Sequence, residues 1–244
     1  MAPDEPAHVP SALVPAATRR ATRRPGPTLR TERRLLRGGI TRLAGMDEVG
    51  RGAPAGPATV GVVVVDDGSP PAPLGVRDSK LLRPSARESL VPVIEVWAVA
   101  WAVGHAEPWE VDQFGVTGAL RLAGLRALSQ LAVPPDLVLL DGAHDWLSPS
   151  VHEGTSRAQA DLSRVPVVTK VKADTTCASV AAASVLAKVA RDAIMVGLAQ
   201  EHPDYGWDEN KGYGTAAHME ALGRLGPTSH HRLSWRLPTT YGST

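Results

Sequence analysis

Residues 44–65 read AGMDEVGRGAPAGPATVGVVVV, and this stretch decides the fold. Leu43 to Met46 and Thr59 to Val65 read as β-branched or apolar strands. The second is an almost unbroken valine run, the pattern of a strand buried on both faces. The polar turn Asp66-Asp67-Gly68-Ser69-Pro70 ends it. Between the strands lies a glycine-rich turn, Gly50-Arg51-Gly52, which directly follows Asp47, Glu48 and Val49.

The rest of the chain continues the alternation. Leu137 to Leu140 and Val165 to Val171 read as strands. Val96 to Gly104 is an apolar run in which Val and Trp favour strand over helix. Helices are expected over Ser85 to Glu95, with Pro84 suited to its start, and over Val116 to Leu131, where Leu120, Leu125, Leu128 and Leu131 recur near helical spacing. Thr176 to Ala199 is a long helix whose alanines permit close packing, and Thr215 to Leu222 is the last. Trp97, Val99, Trp101 and Val103 read as core. Strands interleaved with helices define an α/β protein with a largely buried sheet. No repeat and no linker interrupts residues 40 to 237.

With 244 residues, 43% of them hydrophobic, the chain has enough length for a buried core without staples. Its single Cys, Cys177, excludes a disulfide framework and a Cys-rich zinc site; it reads as a packed small residue. The longest uncharged stretch, Gly52 to Val65, is too short and too broken by proline to span a bilayer. Nothing resembles a secretory signal, so a cytoplasmic protein without membrane attachment is expected. The net charge of +1 hides an uneven distribution. Residues 1–37 carry eight Arg against three acids, a net of +5, and six Pro. They read as a disordered Arg/Pro-rich arm, equally a solvated tail or a tracker of phosphates. Residues 38–237 read as the folded domain and 238–244 as a tail.

Three strands end in acids. Asp47 and Glu48 precede the glycine turn, Asp141 follows LVLL, and Asp174 follows VVTKVK just ahead of a helix. Sites in open α/β sheets gather at strand ends. Carboxylates meeting there repel one another unless a divalent cation lies between them, and an all-oxygen set favours magnesium or manganese over zinc. Two such ions can activate a water and steady the leaving oxygen of a phosphodiester. Asp174 is expected to be held ionised by the helix behind it. Singly, each acid is an ordinary turn or cap residue. Asp47 and Glu48 point to opposite sides of a regular strand, so a bulge or twist ahead of Gly50 is expected. Asp192 rivals Asp174, but at ~27 Å further along a helix only one of them fits a compact site. Beside Lys188 and Arg191, Asp192 reads as part of a charged face. The loop Gly50 to Gly56 lacks the Gly-Lys-Ser/Thr of a phosphate loop and the glycine spacing of a dinucleotide fingerprint, yet its backbone N–H groups can approach an anion.

The opening stretch resembles the signature of bacterial ribonuclease HII. Later blocks follow in the family's order: RDSK (77–80), LLDG (139–142), KADTTCASVAAASVLAKVARD (172–192), KGYGTAAHMEAL (211–222) and GPTSHHRLSW (226–235). The resemblance spans roughly residues 41 to 236. It implies a ribonuclease H-like mixed β-sheet flanked by helices, with a helical C-terminal part. It also implies a monomeric endoribonuclease that cleaves the RNA strand of RNA–DNA hybrids and nicks 5′ of single ribonucleotides in duplex DNA, as in ribonucleotide excision repair. The implied chemistry is two-metal hydrolysis with Mg2+ or Mn2+, leaving 5′-phosphate and 3′-hydroxyl ends. By position, the catalytic metal ligands fall on Asp47, Glu48, Asp141 and Asp174, which selects Asp174 over Asp192. Gly50, Arg51 and Gly52 are similar to the element that contacts the ribose 2′-hydroxyl. Tyr213 matches the tyrosine that packs on the following deoxyribose. Ser79, Lys80, Lys188 and His231 match backbone-phosphate contacts. Two departures stand out: Arg77 replaces an Asn common before Asp-Ser-Lys, and His144 to Arg164 is longer than in many relatives and is expected as an extended loop. A junction resolvase of the same fold would not need the 2′-hydroxyl turn. A non-catalytic hybrid-binding protein would not need the acids.

Overall fold

The computed structural model describes residues 26–148 and 164–238. One mixed sheet is built from β1 (Arg42–Val49), β2 (Ala58–Asp66), β3 (Ala100–Ala106), β4 (Leu137–Asp141) and β5 (Val167–Lys170), in the order β3-β2-β1-β4-β5. β1 pairs antiparallel with β2, and β2 with β3; β1, β4 and β5 run parallel. The C-terminal ends of β1, β4 and β5 therefore share one edge of the sheet. Residues 60–65 of β2 are all buried because helices cover both faces.

On one face α3 (Pro108–Ser129) packs Leu120, Ala123, Ala127 and Leu128 against Ala44, Met46, Val60, Val62 and Val64. Gly115, at φ 69°, breaks this helix, so a regular run restarts at Val116. Glu110 lies near the helix start, where Arg126 clamps it through two 2.6 Å bonds. Burial works against its charge, but those bonds outweigh it and hold the carboxyl below its ordinary range. On the other face lie α1 (Arg30–Leu36), α2 (Pro84–Trp97), the short α4 (Ala173–Thr176) and α5 (Ala178–Glu201). The alanines of α5 sit almost flush on the sheet. A Cβ on Gly45 would lie 2.3 Å from the Ser179 hydroxyl oxygen, and one on Gly61 2.3 Å from the Ala183 carbonyl oxygen. These glycines are required by close approach, and interiors packed at crystal density leave no room for a methyl group. Beyond the sheet, α6 (Trp207–Asn210) and α7 (Ala216–Leu225) close on the far end of α5 through Met195, Ala199, Tyr205, Trp207 and Leu222. Among the described residues no helix is long and apolar enough to cross a membrane.

Four expectations change. The arm read as reaching residue 37 contains α1, which is docked: Leu29, Glu32 and Leu36 form a buried stripe at helical spacing. Glu32 fills a core position because its Oε1 accepts from the Ser179 amide and hydroxyl, a pairing that no local pattern reveals. Residues 1–25 and 239–244 lie outside the described residues. Second, the apolar run from Val96 splits: Val96 and Trp97 end α2, and the strand begins only at Ala100. Third, Trp101 and Val99 are not core, being 39% and 41% exposed, because β3 is an edge strand with incomplete cover. Fourth, the insertion after Asp141 begins inside the core, with Trp146 and Leu147 buried against Gly124; residues 149–163 lie outside the described residues.

Candidate active site

Parallel pairing brings the acids together. β1 stays in register with β2 through Val49, so the expected bulge is absent. Its pairing with β4 stops at Met46 and Leu140, and both sides of the strand open there onto the same end of the sheet. Asp47 is buried, 4% exposed, and its Oδ1 accepts from the Glu48 amide at 2.8 Å. Asp141 ends β4, and its Oδ1 accepts from the Ala173 and Asp174 amides at 2.6 and 3.4 Å. It thereby caps α4 from a distance and sets Asp174 beside it. Two amide donors on one carboxylate oxygen fix its direction.

The electrostatics record the crowding. Burial, then Glu48, then Asp141 push the Asp47 carboxyl well above its ordinary range. Burial raises Glu48, Arg51 opposes, and Asp141 reinforces. Asp174 is raised by burial, Asp141 and Asp78, with Lys80 and the Thr175 amide opposing; the helix at its back, α4, has only four residues. Lys80 is the counter-cation, 3.9 Å from Asp174. Burial opposes its charge, but Asp47, Asp78, Asp174 and Asp141 together raise its pKa. Asp78, which the sequence reading passed over, caps the turn Ser79–Leu81 by accepting from the Lys80 amide; the Asp-x-Lys spacing was its only signal. Among the described residues no three His, Cys, Asp or Glu side chains form a ready-made ligand cluster. The carboxylates are neighbours through their fields.

Against them lies a cleft of about 430 Å³ lined by Glu48, Gly50, Arg51, Gly52, Ser79, Lys80, Lys188 and Tyr213. Arg51 pairs with Glu48 at 3.3 Å. Lys188 binds Asp192 at 2.7 Å and stands 5.5 Å over the Tyr213 ring. Arg87 also binds Asp192, so Asp192 belongs to a charged surface as read. Ser79 is buried, with its hydroxyl accepting from Ser184.

Two arginines hold the cleft in shape. Arg232, fully buried, donates to the carbonyls of Arg51 (2.7 Å), Gly50 (2.6 Å) and Gly56 (3.3 Å). Burial and the neighbouring Arg191 lower its pKa to about 10, so it remains charged at neutral pH. Arg191, also fully buried, donates to Pro57, Lys211 and Ala55, and its guanidinium lies 5.2 Å from the Tyr213 ring centre. It is thus no part of the charged face assigned to it from sequence. Gly50, at φ 81°, would drive a Cβ into the Arg191 Nε at 2.1 Å.

His231 does not reach phosphate: it is 1% exposed. Its Nδ1 accepts from the Thr228 amide at 3.0 Å, and its Nε2 lies 3.2 Å from His218 Nε2. That His218 nitrogen also accepts from Trp207, while its Nδ1 meets the Tyr213 carbonyl. The neutral tautomers consistent with these contacts have His218 Nδ1–H donating to Tyr213 and the His218 Nε2 lone pair shared between the Trp207 and His231 N–H groups. His231 thus supports Tyr213 from beneath. Burial, then His218, lower the His231 pKa to about 4, and burial lowers His218. A histidine depressed in the native state takes up its proton more readily when unfolded. Its stabilisation is therefore complete above about pH 6.5 and is lost as pH falls towards 4, by of order 3 kcal/mol. The urea midpoint of wild type minus that of His231→Gln should narrow across this interval; a constant difference would contradict the burial of a neutral ring.

Solved structures place the architecture. Ribonuclease H2 from Pyrococcus horikoshii OT3 superposes with TM-score 0.61 and 26% identity, over 80% of this chain and 94% of that one. Bst RNase HIII, solved in complex with Mn2+, matches in fold with TM-score 0.57 and 21% identity, over 84% and 69%. Fold and acidic sheet edge together define a nuclease of the ribonuclease H class. The sequence is more specific: residues 44–237 match the ribonuclease HII family. The ribonuclease HII of Streptomyces coelicolor is 46% identical over 211 residues, 86% of this chain and 84% of that protein. The chain belongs to the ribonuclease HII family and is a ribonuclease H endonuclease, an enzyme that hydrolyses phosphodiester bonds.

Proposed function

We propose that this enzyme cleaves the RNA strand of RNA–DNA hybrids and nicks on the 5′ side of a single ribonucleotide in duplex DNA, acting as a monomer with Mn2+ or Mg2+ held by Asp47, Glu48, Asp141 and Asp174. The supporting observation is the placing of Asp47, Glu48 and Asp174 around Asp141, whose charge acts on each of them, at one sheet edge beside the Gly50–Gly52 turn. The donor types fit a hard divalent cation: they are all oxygen, with Asp47 and Asp174 buried and Glu48 and Asp141 half-buried, and carry more negative charge than Lys80 offsets. The Mn2+ complex of the related fold is in keeping with this. When bound, a pair of such ions supplies an activated water and charge stabilisation at the leaving 3′-oxygen.

The chain's own residues do the rest. Asp141 is aimed by the α4 amides, and Asp47 by the Glu48 amide. Arg232 pins the carbonyls of Gly50 and Arg51 and so fixes the shape of a turn that lines the cleft, where a 2′-hydroxyl can be both donor and acceptor. Tyr213, stiffened by Arg191 and His218, offers a rigid apolar face to the next sugar. Lys80 and Lys188 bring positive charge to the phosphates on either side.

Mapping the cut on a DNA–ribonucleotide–DNA duplex tests this. One nick 5′ of the ribonucleotide, with 3′-hydroxyl and 5′-phosphate ends and dependence on Mg2+ or Mn2+, is expected. Equal cutting of an all-DNA junction would favour the resolvase reading and remove the role of the Gly50–Gly52 turn.

A further inference from the structure

Outside the active site a groove of about 940 Å³ lies between α1 and the segment from Pro71 to Arg77. Arg30, Arg33, Arg37 and Arg77 all line it, and among the described residues no acid does. Arg30, Arg33 and Arg37 recur at helical spacing along α1, next to the stripe that docks the helix. Among the described residues none of the four forms an ion pair. Four guanidinium groups around one recess raise the local positive potential, which favours an anionic partner.

Both walls of the groove run into the active site. On one side the Thr28 amide donates to the Thr176 carbonyl and the Ala178 amide to the Thr28 carbonyl, stitching the groove to the turn that carries Asp174. On the other, Arg77 directly precedes Asp78, Ser79 and Lys80, whose ammonium faces Asp174. A strand passing Lys80 thus has a continuous cationic path outward. From Arg30 to Arg37 the helix rises ~10 Å, which matches about three successive phosphates of one duplex strand at ~3.4 Å of axis each. Residues 1–25 are not the complementary occupant: four Arg against Asp4 and Glu5 give them a net charge of +2.

We propose that this groove is a second nucleic-acid site that binds the phosphodiester backbone of the duplex flanking the scissile position. The proposal rests on the cleavage reading above for the direction of the path, but its test does not require cleavage. Arg30→Gln/Arg37→Gln removes two exposed cations whose side chains make no hydrogen bond or ion pair among the described residues. Binding of the full chain is followed by fluorescence anisotropy in chelator over a salt series. One probe is a duplex of about 30 bp, roughly three turns, with a central ribonucleotide; the other is a hairpin of about 8 bp, less than one turn. On the long duplex the slope of log affinity against log salt should become shallower by about 1.8, at ~0.9 for each lost phosphate contact. On the hairpin the two proteins should bind alike. An unchanged slope on the long duplex overturns the proposal and would leave the groove to an acidic protein. Equal losses on both probes also overturn it, since they would place the effect in the fold or the active site. If the nick map fails while the slope still shifts, the groove stands and the cleavage reading falls; an intact nick map with an unmoved slope does the reverse.

Discussion

Asp47→Asn lowers metal-dependent nicking of a ribonucleotide-containing duplex by at least about 10³-fold, roughly 4 kcal/mol of transition-state stabilisation. Asparagine keeps the size and one acceptor oxygen, so the bond from the Glu48 amide persists. What it removes is the charge at the most buried and most strongly perturbed carboxyl of the edge. Removing that charge also removes its burial cost and its repulsion with Glu48 and Asp141. In chelator the variant should therefore melt no lower than wild type. Single-turnover nicking and a thermal melt check the two halves. Undiminished nicking would detach Asp47 from the chemistry, and a melt lowered by several degrees would make the loss one of folding.

The second large effect is expected at a residue outside the acidic set. Arg232→Met leaves the carbonyls of Arg51 and Gly56 without this donor and that of Gly50 with the Ala53 amide alone. Each unsatisfied group costs ~1–3 kcal/mol, and the expected loss is about 3–5 kcal/mol by urea unfolding. Arg232→Lys is the informative companion. Its single ammonium can reach one or two of those carbonyls but cannot span all three in a planar fork. This folded variant should keep its affinity for duplex and lose discrimination between ribonucleotide-containing and all-DNA strands, because the turn is freed to move. Unaltered discrimination would show that the turn holds its shape without the arginine.

Much of this molecule was legible before any fold. The valine run of β2, the leucine spacing of α3 and the alanines of α5 each carry their structure in local pattern, since period and propensity are properties of neighbouring residues. The acids were visible as strand-end residues for the same reason. The errors and omissions have a common source. Glu32 in the core, Arg191 and Arg232 in the interior, and His231 beneath Tyr213 are polar groups whose burial depends on partners far away in sequence. A charged residue reads as surface until its partner is seen. Trp101 erred in the opposite direction: its hydrophobicity was plain, but the fact that β3 would be an edge was not.

The sequence by itself determined the elements, the family, and the residue types able to hold a hard cation. Only the tertiary structure decided that β1, β4 and β5 run parallel and so bring their acid-bearing ends to one edge, and that two interior guanidinium groups brace the turn beside them. The physical reason is range. Helical and strand periodicity act over a few residues, whereas a hydrogen bond from position 232 to position 50 exists only once the chain has closed upon itself.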